Sequence, residues 1–227
     1  MKDATLKQVL ADQAAKRAVV LATDLASGDE RLIYPHEPGD DPLKADAQKA
    51  ARLDKSGVVE DGDTKTFLNV YNPALRLIIV GAVHIAQPLA RMAAMTGYDV
   101  TVVDPRAAFA SEERFPGVTV MTEWPDDAMA TLVPDARTAV VTLTHDPKID
   151  DPALEVALRS PVFYIGALGS KKTHAARLGR LGDAGFSDDD MARICGPIGL
   201  AIGAKSPAEI AVAVLAQITE QLRQPPA

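Results

Sequence analysis

The sequence predicts an α/β protein: a doubly wound parallel sheet preceded by a small α+β N-terminal domain. Three observations predict it. From residue 75 onward, short apolar runs alternate with segments of helical composition, the pattern of a sheet whose strands are joined by crossover helices. Those runs are continuous in Val, Ile and Leu, as strands covered on both faces are. Asn72-Pro73 then separates this regular stretch from a less regular one, because proline forces the residue before it out of the helical region.

In the first stretch, residues 1–73, Leu6 to Lys16 reads as a helix and Ala18 to Thr23 as a strand. Arg31 to Tyr34 can pair with that strand across the turn formers Ser27, Gly28 and Asp29. Pro35 to Pro42 holds three prolines and a glycine and is a loop. Leu43 to Leu53 has helical composition, and Thr64 to Val70 is read as a strand.

The second stretch, residues 74–227, opens with a strand over Leu75–Val80. A helix is expected over His84–Thr96, closed by Gly97 in the position that favours a left-handed backbone. Val100 to Val103 is the next strand. Strand and helix then alternate through Val118–Met121, Asp126–Leu132, Thr138–Leu143, Pro152–Leu158, Val162–Ile165 and Lys171–Leu181. Ser187 to Arg193 and Pro207 to Leu222 are the last helices. The final one carries a strong start signal: Ser206 as N-cap, Pro207 in first place and Glu209 in third.

Composition limits the function. A formal charge of −7, without a block of Lys or Arg, argues against nucleic-acid or membrane-surface partners. No segment reaches the roughly 18 apolar residues of a membrane helix. Lys16 and Arg17 interrupt the first apolar stretch, so no signal peptide is read and the chain is expected to be cytoplasmic. Cys195 is the single cysteine, which excludes an intramolecular disulfide and a cysteine-based metal cluster. It reads as a small buried hydrophobe, with a sulfur-carrying role as the alternative. No metal site can be assembled from the pattern, and G-x-S-x-G, Walker A and HExxH motifs are absent.

Chemistry gathers in the connectors that follow strands, where open α/β sheets place ligands. Gly81-Ala82-Val83-His84-Ile85-Ala86 matches the first and last positions of the Rossmann G-x-G-x-x-G/A loop, but Val83 stands where the second glycine lets a pyrophosphate approach the backbone. Asp104 is the acid expected to reach a ribose hydroxyl, and Arg106 could instead meet a phosphate. Gly166-Ala167-Leu168-Gly169-Ser170-Lys171-Lys172 ends a strand and opens a helix, with Ser170 as N-cap. Two lysines in a first helical turn oppose the macrodipole, so an anion explains them better than a plain turn does. His145 and Asp146 form a polar pair at a strand end, which can orient a ligand or simply make a capped turn. Gly196-Pro197-Ile198-Gly199 is too rich in special backbone for an ordinary connector.

Taken together, these segments resemble the XdhC/CoxI family of molybdenum-enzyme accessory proteins. Gly81–Ala86, Asp104-Pro105-Arg106, Phe115-Pro116, Leu143–Asp146, Tyr164–Lys171, Gly196–Leu200 and Ser206–Ala211 stand in the family's order and spacing. The resemblance implies a chaperone more than a turnover enzyme, with no catalytic residue assigned. Its ligand would be the molybdenum cofactor (molybdopterin), sheltered while a terminal sulfur is installed. Its partners would be a molybdenum hydroxylase client and a cysteine desulfurase or other sulfur donor, with a homodimer left open. The cofactor's phosphate would sit at the Gly81 or Gly169 loop beside Lys171 or Lys172, with His145 and Asp146 toward the pterin or the metal. Two departures stand out: Val83 replaces the family's glycine, and residues 1–74 contain no cysteine, so no N-terminal thiol can hold metal or sulfur. An NAD(P)-dependent oxidoreductase and a non-catalytic, partner-recruiting module with a degenerate Rossmann domain are the alternatives.

Overall fold

In the computed structural model, residues 1–62 and 64–224 are described; the last three residues of the 74–227 domain lie outside that set. The chain divides into two compact units, Met1–Pro73 and Ala74–Ala227.

The first unit runs α1 (Asp3–Ala14), β1 (Val19–Asp24), β2 (Glu30–Ile33), α2 (Lys44–Leu53), β3 (Gly57–Asp61) and β4 (Thr64–Tyr71). Its strands form a four-stranded antiparallel sheet in the order β2-β1-β4-β3. Val20 and Ala22 alternate onto one face, where they meet Ile33, Leu68 and the Ala47/Ala51 side of α2. Strand β3 is absent from the sequence reading. It is an edge strand with no buried residue, so no apolar run marks it.

The second unit runs β5 (Leu75–Val80), α3 (Ala86–Met95), β6 (Tyr98–Val103), β7 (Thr119–Met121), α4 (Pro125–Leu132), β8 (Thr138–Thr142), α5 (Pro147–Leu158), β9 (Tyr164–Ala167), α6 (Lys171–Asp183), α7 (Asp188–Ala192), β10 (Ile194–Cys195) and α8 (Pro207–Arg223). All six strands are parallel, in the order β10-β9-β8-β5-β6-β7. Counted from β5, this is the 3-2-1-4-5-6 order of dinucleotide-binding Rossmann sheets, whose direction of winding reverses between the first and fourth strands. Here those strands are β5 and β8. Leu77, Ile79, Val102 and Val141 pack against α3 and α8 on one face. Ile78, Val80, Val140 and Ile165 pack against α4 and α5 on the other.

Two of the helix starts that differ from expectation have a clear physical cause. Helix α3 begins at Ala86, and Val83–Ile85 form a turn closed by the Ala86 N–H donating to Val83 O. The reason is Pro88: a helix starting at His84 would need a Pro88 N–H for the His84 carbonyl, whereas in the first turn a proline sacrifices nothing. Helix α5 begins at Pro147, ahead of the expected Pro152, because Asp146 caps it and Pro147 takes the first position. Strand β10 also escapes the sequence pattern, being two residues long and paired only with β9.

Candidate functional site

The connectors after β5, β6, β8 and β9 crown the C-terminal edge of the parallel sheet. In the first, Gly81 has φ +108, and a Cβ there would lie 2.5 Å from Thr144 Cγ2. Glycine is therefore required both for the turn and for contact with the neighbouring loop. Ala82 donates its N–H to Asp104 Oδ2 at 2.8 Å. Val83 is half-buried against the core shared with α3 and α8. His84 is exposed on the rim of an open hollow of about 520 Å³ lined also by Gln87, Arg91 and Ser206.

Asp104 is engaged within the protein. Its carboxylate is fully buried and faces inward, where it also accepts from the Arg106 N–H at 3.0 Å, Nε at 2.9 Å and Nη2 at 2.8 Å. Burial pushes the carboxyl up, but the Arg106 guanidinium and the two backbone donors outweigh it and hold it below the usual carboxylate range. Neither residue is free in the way the sequence suggested. Asp104 has no outward oxygen for a ribose, and Arg106 is folded back in a bidentate pair rather than extended toward a phosphate.

After β8, His145 occupies the left-handed region at φ +65, unusual for a residue other than glycine. Its imidazole is exposed. Asp146 instead makes the capped turn: its carboxylate accepts from the Lys148 N–H at 3.0 Å. Both loop N–H groups ahead of it are taken by a residue the sequence reading did not single out. Asp150 accepts from Thr144 N at 3.3 Å, Thr144 Oγ1 at 2.7 Å and His145 N at 3.1 Å.

After β9, the two glycines have different roles. Gly166 is buried, and a Cβ there would sit 2.5 Å from Ile198 Cδ1 and 2.7 Å from Tyr164 Cε1. Its lack of a side chain is required by packing. Gly169, at φ +154, makes the turn into α6. Ser170 accepts from the Thr173 N–H at 3.1 Å as N-cap. Lys171 and Lys172 are exposed, and neither enters an ion pair among the described residues. Beneath them Arg177 is buried and donates to Leu168 O at 3.0 Å and Asp150 Oδ2 at 3.5 Å. Burial pushes the Arg177 guanidinium down and the Asp150 carboxyl up. A signal for Arg177 did exist: it lies four residues before the buried Leu181, on the same face of α6.

The segment after β10 lies against α6 and α8. Gly196 carries the His174 ring, since a Cβ there would fall 2.2 Å from Nδ1, while Pro197 is exposed. Desolvation, then Arg177, lowers the His174 pKa, so its imidazole is neutral at neutral pH. Gln217 Oε1 accepts from Tyr164 Oη at 2.6 Å and from the Gly199 N–H at 2.8 Å, tying this segment to β9. Cys195 is half-buried, and burial raises its pKa, so it stands as a thiol. The structure thus joins Gly81, Ala82, Asp104 and Arg106 in one cluster, and Gly81 touches the loop of His145 and Asp146. Asp150 and Arg177 link that loop to Gly169 and Ser170. Gly196 stands against α6 through His174.

A family model described as the XdhC Rossmann domain matches residues 77–218. The chain belongs to this family. Among relatives of this XdhC-type chain, the molybdenum cofactor insertion chaperone PaoD of Escherichia coli is 34% identical over 148 residues, covering 65% of this chain and 40% of that protein. A Bacillus subtilis protein named as a probable xanthine dehydrogenase subunit is 33% identical over 162 residues, covering 70% and 47%. The uncharacterized protein YqeB of Escherichia coli is 30% identical over 159 residues, covering 70% and 29%. The chain therefore spans less than half the length of these curated relatives. A crystal structure titled as a xanthine dehydrogenase from Bacillus halodurans shares the fold, with a TM-score of 0.73 at 24% identity over 97% of this chain and 67% of that one. Among the described residues, no helix of the XdhC-type chain is long and apolar enough to cross a membrane.

Proposed function

We propose that this XdhC-type chain binds the molybdenum cofactor and supports its insertion into a molybdenum hydroxylase of the xanthine dehydrogenase type. The observation that carries the reading is the contrast between the two phosphate-competent loops. At the Gly81 loop, the Ala82 N–H is already bonded to Asp104 and Val83 fills the second glycine position. At the Gly169 loop, two lysines without ion-pair partners among the described residues stand at the start of α6 beside a hydroxyl cap, with a buried guanidinium below. That arrangement suits a single terminal phosphate better than an extended pyrophosphate. Its likeness to PaoD, named a molybdenum cofactor insertion chaperone, supports the same ligand.

The Gly169 cradle and the uncompensated cations fit the cofactor's anionic tail. Lys171, Lys172 and Ser170 would hold the phosphate, and His145 would contact the pterin or the metal end. The cofactor itself supplies the redox metal and its dithiolene; the chain binds, orients and shelters. Sulfur for the terminal ligand would come from a separate donor such as a cysteine desulfurase; Cys195, the single cysteine, is half-buried, and burial raises its thiol pKa.

Co-expression with the client enzyme tests this reading. The purified chain should release a pterin that fluoresces after oxidation, in near-stoichiometric amount; protein that stays pterin-free sinks the proposal. The strand order favours a second reading, an NAD(P)-dependent oxidoreductase, which titration with NAD(P)H followed by nicotinamide fluorescence would reveal.

A further inference from the structure

Asp150 on α5 and Arg177 on α6 are buried together, with side chains 1% and 2% exposed and Nη2 to Oδ2 at 3.5 Å. The groups they bond are not those of an ordinary helix-helix pair. Asp150 receives the Thr144 N–H, the Thr144 hydroxyl and the His145 N–H, all from the connector after β8. Arg177 Nη2 donates to the Leu168 carbonyl, immediately before Gly169 in the connector after β9. Thr144 in turn presses its Cγ2 methyl into the space a side chain at Gly81 would fill. One carboxylate and one guanidinium thus connect the loops that follow three adjacent strands, β5, β8 and β9.

As a device for stability this pair is poor. Two charges are withdrawn from water, and an apolar pair of similar volume commonly serves a core equally well. Arg177 Nε and Nη1 are also buried without a partner among the described residues, which is unfavourable. The backbone at His145 is held in a conformation that costs free energy. Both features make sense if loop geometry is what the pair supplies.

We infer that Asp150 and Arg177 are positioning residues that hold the Gly81, Thr144–Asp146 and Leu168–Ser170 loops in one arrangement, so that His145 and the Ser170–Lys172 seat form a single binding surface. The inference rests on the proposed function only in taking that surface to be the cofactor's. A pair that merely glued α5 to α6 would leave the loops as they are when both charges are replaced together.

The test uses the double variant Asp150→Asn with Arg177→Met, which removes both charges at similar volume, and Arg177→Lys as the conservative change. Hydrogen-deuterium exchange is followed on peptides covering 81–84, 143–146 and 168–170, with α8 peptides as reference. Exchange in all three loops should quicken together by at least tenfold in the double variant while α8 stays protected, and Arg177→Lys should recover most of the protection. Pterin retained after co-expression should fall about tenfold in parallel. Unchanged loop exchange, or faster exchange confined to α5 and α6, overturns the inference, as does full pterin retention with loosened loops. Loops that loosen together in a protein whose wild type carries no pterin would support the positioning role and defeat the proposed ligand. Should the double variant not fold, Asp150→Asn with Arg177→Gln, which likewise leaves no unpaired buried charge, is read by the same exchange criteria.

Discussion

Ala82 donates its backbone N–H to Asp104 Oδ2 at 2.8 Å, across 22 residues of chain. The acid that a dinucleotide site would turn toward a ribose instead closes the glycine loop from within. Asp104→Asn should therefore weaken the fold itself, by about 1–3 kcal/mol at neutral pH, because Arg106 loses a charged bidentate partner and a buried donor loses its acceptor. Neighbouring donors depress the folded carboxyl's pKa. Its contribution is therefore present above the unfolded value of about 3.9 and is lost as pH falls through the folded pKa. Urea unfolding of wild type and variant should differ by a constant amount from roughly pH 6 to 8 and converge in acid. A gap that persists at low pH would show that the interaction does not depend on the ionised carboxylate.

On the proposed reading, the Val83 side chain is not the only feature that opposes a dinucleotide. Val83→Gly opens the backbone at one position but leaves the Ala82 N–H and both Asp104 oxygens engaged. Nicotinamide fluorescence should show no saturable binding of NAD(P)H to either wild type or this variant. Saturation by the variant alone would make the valine the decisive obstacle and bring the oxidoreductase reading forward.

Replacing Lys171 and Lys172 together by alanine separates binding from stability. Both side chains are exposed at the positive end of α6, where a cation is disfavoured by about 0.3–1 kcal/mol. The melting temperature should hold or rise slightly. Retained pterin should drop at least tenfold, since each charge-assisted contact to a phosphate is worth about 1.5–3 kcal/mol. Pterin measured against protein concentration, beside a thermal melt, reads both effects, and unchanged pterin would remove the lysines from the site.

Gly166 offers a test of packing against binding. Gly166→Ala forces a methyl toward Ile198 and Tyr164 and should destabilise by about 1–3 kcal/mol, the usual range for an overpacked core. Ile198→Val should restore part of the loss by removing the atom in closest conflict. A variant of full stability but reduced pterin would return Gly166 to the ligand surface.

Much of the architecture was legible because its signals are local. The continuous apolar strands from Leu75 onward, Gly97 after α3, Ser170 before α6 and the Ser206-Pro207-Glu209 start of α8 are read within a few residues of one another. Errors fell where local pattern is silent or ambiguous. Strand β3 has no buried side to advertise it. Helix α5 carries two prolines, and only its Asp146 cap tells which one marks the start. In the candidate site, Ser170, Lys171 and Lys172 stand where the sequence placed them, at the opening of a helix after a strand. Asp104 stands in the expected place with its carboxylate buried, and Gly166 is buried beside Ile198 and Tyr164.

The sequence by itself determined the fold class, most of the strands and helices and the connectors that could carry chemistry, since strand period, helix caps and turn residues act over one or two turns of chain. Tertiary structure alone decided which groups in those connectors remain free. Asp104 is bound to a loop 22 residues away and Arg177 to a carboxylate 27 residues away. Partnerships of that range depend on the sheet bringing distant strand ends side by side. A donor already bonded inside the protein is no longer available to a ligand, and no residue spacing records that.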